Sequence, residues 1–186
     1  MHPLDLTEQE IRQRIWIELE RACQDRHHEW RTPVLATVGE DGFPNARTVV
    51  LRRADSKLHS LQFYTDSRSP KVAELFHAPT AMLVFWSKRL NWQLRARADM
   101  CVESAGPQID AVWERVSQSA AAGDYLSTDV PGDPLPVERA APSNTKSQHH
   151  LAILSAQVQQ IYWLELRRGG HRRAWLSVNT WEWRVP

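Results

Sequence analysis

The stretch "FYTDSRSPKVAEL", residues 63–75, runs a strand directly into a helix. Phe63, Tyr64 and Thr65 end an extended run, and Ser69-Pro70 supplies the N-cap and the first helical residue of the next element. His77-Ala78-Pro79 stops that helix. The junction leaves helix amides and the positive end of the dipole free to meet an anion. Lys71 falls in the first helical turn, where a cation opposes the dipole unless an anion is there. Thr65 and Ser69 add hydroxyl donors and Arg68 a second charge. A phosphate monoester, with about −1.5 to −2 charges near neutral pH, suits such a pocket. Taken alone, the segment also reads as an ordinary capped helix with a solvated lysine.

Upstream, "VLATVGEDGFPNARTVVLRRA" (residues 34–54) predicts two strands around Glu40-Asp41-Gly42, since Asp-Gly is a strong hairpin signal. Arg47 and Arg52 bracket the apolar Val49-Val50-Leu51. Arginine at both ends of an apolar strand requires solvent or a bound anion. In an unbroken strand the two point to opposite faces, so one ligand reaches both only through twist, a bulge or a second subunit. Two exposed strand-end arginines are the alternative. Downstream, "TAMLVFW" and "WQLRARADMCVE" predict two more strands. The second alternates, with Trp92, Leu94, Ala96, Ala98 and Met100 on one face. Gln93, on the other face, carries an amide that offers both a donor and an acceptor to a ligand's edge; an ordinary surface glutamine is the alternative.

The flanks are helical and then extended. Thr7-Glu8-Gln9-Glu10 matches a capping box, followed by Ile11, Ile15, Leu19 and Ala22 at helical spacing. This N-terminal helix lies within residues 1–30 and is expected to end near Arg26 to His28. Residues 33–103 form the β core. Pro107 opens helical segment 107–126, and residues 127–147, rich in Pro, Ser, Asp and Thr, read as a loop. Residues 148–186 hold two or three final strands around Gly169-Gly170. The expected fold is mainly β with flanking helices (α+β), a single antiparallel domain over 1–186. Closing the sheet into a barrel would remove its exposed edges.

Composition narrows the function classes. Lys plus Arg number 23 against 22 Asp plus Glu, so the surplus that marks a nucleic-acid binder is missing. Cys23 and Cys101 form no CxxC pair and are expected to be reduced, mostly buried thiols. No apolar N-terminal run or membrane-length stretch is present, which leads to the expectation of a cytoplasmic protein. His27-His28 and His149-His150 are adjacent pairs that would point apart on a strand, so no metal is expected. No G-x-S-x-G elbow, Walker or Rossmann glycine pattern occurs. Nine tryptophans, several of them late in the chain (Trp163, Trp175, Trp181, Trp183), imply a large aromatic core or an interface.

The ordered run "ARTVVLRRAD…FYTDSRSPKVAEL…APTAMLVFW…NWQLRARA", over residues 33 to about 103, resembles the FMN-binding core of the pyridoxamine 5′-phosphate oxidase family. "SRSPKVAEL" and the late "HRRAW" are similar to the oxidase-related branch whose substrate is unassigned. The resemblance implies a split β-barrel that holds flavin mononucleotide (FMN) at the interface of a homodimer. It further implies Arg47 and Lys71 on the FMN phosphate with Ser69 beside them. Val49, Val50, Arg52, Tyr64 and Thr65 would line the cofactor, partly through backbone groups. Gln93 would contact the isoalloxazine from the other subunit, with Arg173 and Trp163 as C-terminal candidates.

Three departures from the family pattern stand out. Trp92 replaces the arginine expected before Gln93. The substrate-phosphate residues are not reproduced in "DAVWERVSQSAAAGDY", where Arg115 and Ser117 are out of spacing. His171-Arg172-Arg173 stands in place of Arg-x-His. No catalytic side chain is singled out. The implied function is an FMN-dependent oxidoreductase of unassigned substrate. The alternatives are a flavin-binding module without turnover, acting as carrier or sensor, and a haem-binding split barrel with His149, His150 or His171 as ligands.

Overall fold

The computed structural model describes residues 6–134 and 148–186. Helix α1 (Glu8–Gln24) is opened by the capping box: Thr7 Oγ1 accepts from the Glu10 amide and Glu10 returns the bond to the Thr7 amide. It buries Ile11, Ile15, Trp16, Leu19 and Ala22. The helix ends before Arg26 because Asp25 turns extended and its carboxylate accepts from the His27 amide.

Nine strands follow: β1 (Val34–Val38), β2 (Pro44–Thr48), β3 (Leu51–Asp55), β4 (Ser60–Asp66), β5 (Thr80–Ser87), β6 (Trp92–Glu103), β7 (Leu151–Glu165), β8 (Arg172–Leu176) and β9 (Trp181–Arg184). Helix α2 (Pro70–His77) lies between β4 and β5, and α3 (Pro107–Val116) follows β6. All pairings are antiparallel, in the order β2-β1-β5-β6-β7-β4-β3, with β8 on β7 and β9 on β8.

The two ends of this path, β2 and β3, are joined only by Val49 and Val50. Laid flat, six interstrand spacings would separate them by roughly 29 Å. Three residues of extended chain reach at most about 11 Å. The sheet must therefore curl until its first and last strands meet, and since β2 and β3 do not hydrogen-bond, the barrel stays split at that seam. The sequence between residues 34 and 54 accordingly holds three strands rather than two. The break falls at Val49-Val50, with the Val49 amide donating to the Pro33 carbonyl at 3.0 Å. A bulge follows at once: Leu51 registers with Phe63 and Arg53 with Gln62, so Arg52 is the extra residue.

Inside the curl lie Leu35, Leu51, Phe63, Leu83, Phe85, Leu94, Trp92 and Trp163, all essentially fully buried. Trp92 and Trp163 meet edge to face at 5.3 Å, a geometry worth about 0.5–1.5 kcal/mol beyond area burial. The β6 alternation holds along its length, leaving Gln93, Arg95, Arg97 and Asp99 on the outer face. Cys101 shares that face and is exposed, contrary to the expected burial, while Cys23 is half-buried. Within residues 127–134 of the expected loop, Ser127 and Asp129 bond Arg68 and Gly132 approaches Pro70 at the start of α2, and 135–147 fall outside the described residues. No helix among the described residues is long and apolar enough to cross a membrane.

Candidate functional site

Where β4 passes into α2, the chain turns at Asp66–Ser69. The Asp66 carboxylate accepts from the Arg68 amide at 2.8 Å and from Arg68 Nε and Nη2 at 3.1 and 2.7 Å. Burial pushes the Asp66 carboxyl up, but the Arg68 contacts outweigh it and hold the group below the usual carboxylate range. Arg68 also donates to the carbonyls of Ser127 and Asp129. It is thus a clamp on the turn and on the loop beyond, not the free second charge that the sequence led us to expect.

Ser69 is the N-cap residue of α2 by its backbone, yet its hydroxyl makes no capping bond. It instead lies 3.2 Å from Thr65 Oγ1, and Lys71 Nζ donates to the same oxygen at 3.1 Å. Thr65 and Ser69 are buried, and Lys71 is half-buried. Burial, and then the nearby Arg47 charge, push the Lys71 ammonium below its ordinary value.

Arg47 reaches this corner from β2. It is braced by Glu74 Oε2 at 2.8 Å and by Thr37 Oγ1, while Asn45 holds the other Glu74 oxygen at 3.0 Å. These contacts occupy two of the five guanidinium N–H groups. Thr37, Asn45 and Glu74 come from three separate elements, and no local motif in the sequence announces them.

The Arg52 bulge aims its side chain along Tyr64, 5.6 Å from the ring centre. Its Nε is buried with no hydrogen-bond partner among the described residues. Tyr125 is close enough that burial raises its phenol while Arg52 counteracts the rise. Arg47, Val49, Val50, Arg52, Tyr64, Thr65, Ser69 and Lys71 therefore gather along the seam of the barrel.

Gln93 and Arg173 do not join them. Gln93 registers with Leu164, and Leu164 with Arg173, so the two share one row across β6, β7 and β8 on the outer face. Strand β6 is the middle of the seven-strand path, across the barrel from the seam. Trp163 is fully buried in the core, among Trp92, Trp181 and Trp183. The paired histidines have other partners: His28 links Glu18 to the Trp30 amide, and His149 stacks on Trp113 at 4.4 Å.

The seam fits a phosphate-bearing cofactor on two observations. Lys71, disfavoured by burial and by the nearby Arg47 charge, meets the buried Thr65 and Ser69 hydroxyls at a helix N-terminus, where an anion relieves the repulsion. Beside them the orphaned Arg52 Nε is a buried donor in need of an acceptor.

A split antiparallel barrel with an anion corner at a strand-to-helix junction defines the class, a cofactor-binding split barrel. Residues 13–104 match the sequence profile described as "Pyridoxamine 5'-phosphate oxidase, FMN-binding domain", and over that segment the resemblance to this FMN-binding family is borne out. The pyridoxine/pyridoxamine 5'-phosphate oxidase of Chromohalobacter salexigens is 36% identical over 106 residues, covering 55% of this chain and 47% of the relative. Its namesake from Thermosynechococcus vestitus is 39% identical over 111 residues, covering 59% of this chain and 50% of the relative. The chain spans about half the length of the curated relatives it matches. Among solved structures, a pyridoxamine 5'-phosphate oxidase-related, FMN binding protein from Nostoc punctiforme superposes with a TM-score of 0.71 at 22% identity, covering 98% of this chain and 100% of that one. PhzG from Burkholderia lata, in complex with tetrahydrophenazine-1-carboxylic acid, also scores 0.71, at 17% identity, covering 100% and 98%. At these identities the shared property is the fold.

Proposed function

We propose that this chain, as one domain over residues 1–186, is an FMN-dependent oxidoreductase that holds its cofactor between two copies of itself. The carrying observation is the Lys71 ammonium on Thr65 Oγ1, beside Ser69 at the α2 N-terminus, with the Arg47 charge near enough to depress it. These residues would hold the phosphate. Arg52 and Tyr64, with the Val49-Val50 backbone, would line the path to the ring. Gln93 and Arg173, which face outward from the opposite wall, would meet the ring of a cofactor seated on the partner's seam. Bound FMN supplies hydride and electron transfer, so the protein needs no nucleophile of its own.

The outer face supports a second copy. Val34, Ala36, Met82, Val84 and the exposed Val38 and Trp86 form an apolar surface on β1 and β5 beside Gln93. Such a surface marks a protein contact more often than a bare solvent face. The relatives are named for pyridoxine or pyridoxamine 5′-phosphate, whereas the substrate of this chain stays unassigned. Of the two out-of-spacing candidates for a substrate phosphate, Ser117 spends its hydroxyl on the Glu114 carbonyl.

The test is to titrate the purified chain with FMN and then screen donors under anaerobic conditions. A yellow complex bleached by a small-molecule donor or NAD(P)H is the expected result. A protein that acquires no flavin spectrum overturns the proposal. A stable complex that no donor reduces leaves the flavin site standing and replaces the enzyme with a carrier or sensor.

A further inference from the structure

Two neighbouring rows cross β6, β7 and β8 at one place. Gln93, Leu164 and Arg173 form one, and Trp92, Glu165 and Arg172 form the next, one residue along each strand. Successive strand residues face opposite sides, so the second row backs the first.

Glu165 is held by both neighbours in that backing row. Its Oε1 accepts from Trp92 Nε1 at 3.1 Å, and its Oε2, which has no hydrogen bond among the described residues, lies 3.6 Å from Arg172 Nη1 as an ion pair. Arg172 stacks over Trp163 and Trp183, at 5.4 and 4.8 Å, and donates to the Leu6 carbonyl. Trp92 is only 1% exposed, and the Arg172 and Glu165 side chains 13% and 20%. Without Glu165, a buried indole N–H would lose its acceptor and a secluded guanidinium its counter-charge.

The resemblance places an arginine at position 92. An arginine there would set two guanidinium groups against one carboxylate, whereas tryptophan donates a hydrogen bond and adds no charge. Glu165 thus neutralises Arg172 alone. Arg173, one residue on, has no acidic partner among the described residues and keeps its charge for the outer face.

Resting on the flavin proposal above, we infer that Glu165 is a positioning residue for the ring-side half of the site. By tying Trp92 to Arg172 it sets the backbone from which Gln93 and Arg173 are presented. It touches neither cofactor nor substrate itself.

The experiment compares the purified wild-type chain with Glu165→Gln and Trp92→Phe. Each is titrated with FMN and with riboflavin, and the visible band and midpoint potential of the bound flavin are recorded. Each substitution is expected to weaken FMN and riboflavin by the same factor, roughly tenfold, the worth of a charge-assisted hydrogen bond. The flavin band and potential should shift with it. If Glu165→Gln fails to fold, Trp92→Phe carries the test, since it removes the bond and leaves the Glu165–Arg172 pair intact. Variants with a lower melting temperature but wild-type affinities, band and potential overturn the inference, because that is a packing role alone. A loss confined to FMN overturns it as well, by placing Glu165 on the phosphate side. A wild-type chain that takes up no flavin fails earlier and overturns the proposed function, a result distinct from a wild type that binds while its variants match it.

Discussion

Gln93 on β6 and Arg173 on β8 both register with Leu164 of the strand between them, so an amide and a guanidinium from distant parts of the chain share one outward row. Arg47 and Lys71 lie instead at the seam where β2 and β3 fail to pair. With β6 in the middle of the strand path, the two sets occupy opposite walls of the barrel. A cofactor that uses all four residues then needs two copies of the chain.

That geometry makes a complementation result the expected one. Arg47→Ala and Gln93→Ala chains each lack one half of every site and should bind FMN weakly alone. Unfolded together and refolded as a mixture, they should form mixed dimers with one intact site, restoring tight binding at about a quarter of all sites. Flavin stoichiometry on the mixture is the readout, and no recovery would assign both residues to one chain's own site.

The Lys71 ammonium carries a pH signature. Burial and then the Arg47 charge push it below the ordinary 10.5. Phosphate favours the charged amine, so FMN affinity relative to riboflavin should fall as pH rises toward 10.5, earlier than for an ordinary lysine. Ionisation of the flavin ring is common to both ligands and cancels in the ratio. Arg47→Ala removes the second cause and should move the onset to higher pH. Paired fluorescence titrations across alkaline pH measure it.

Arg68 should act through the turn rather than on the anion. Its bonds to Asp66 and to the carbonyls of Ser127 and Asp129 join the Asp66–Ser69 turn to segment 127–134, where Gly132 also packs against Pro70. Arg68→Ala should speed protease cleavage within that segment and weaken FMN less than Lys71→Ala does. Limited proteolysis beside an FMN titration separates the two effects.

Glu18 holds the base of the barrel against α1. Burial raises its carboxyl, but His28, Arg89 and Arg21 outweigh burial and keep it below 4.5. A group depressed in the folded state contributes stability above its unfolded pKa and loses it as pH falls through the folded one. Glu18→Gln should therefore cost about 1–3 kcal/mol at neutral pH. The gap to wild type should close as pH drops below 4.5. Urea unfolding at neutral and acid pH gives the comparison, and a gap that stays constant would leave only packing as the cause.

Much of this arrangement is legible in the residues alone where the signal is local. The Thr7–Glu10 capping box, the 92–100 alternation and the Ser69-Pro70 helix start each arise from neighbours within a few positions, and each stands in the structure. The break at Val49-Val50 carries no turn residue, because it is imposed by the need of the sheet to curl and close on itself. The Arg52 bulge follows from the same constraint. Glu74 looks like an ordinary helix residue until Thr37, Asn45 and Arg47 converge on it from other elements. Trp163 carries the right residue type for a ring contact, yet its parity on β7 turns it into the core. The partnership of Gln93 with Arg173 depends on the register of three strands, and periodicity within one strand holds no information about register.

The central claim is that the seam holds the phosphate of FMN, and the ratio of FMN to riboflavin affinity tests it most directly. Each lost charge-assisted hydrogen bond should cost about 1.5–3 kcal/mol. Arg47→Ala and Lys71→Ala should therefore each weaken FMN roughly ten- to hundredfold while riboflavin, which lacks the phosphate, changes little. Equal losses of both ligands, or no loss of either, would contradict the assignment of these two cations to the phosphate.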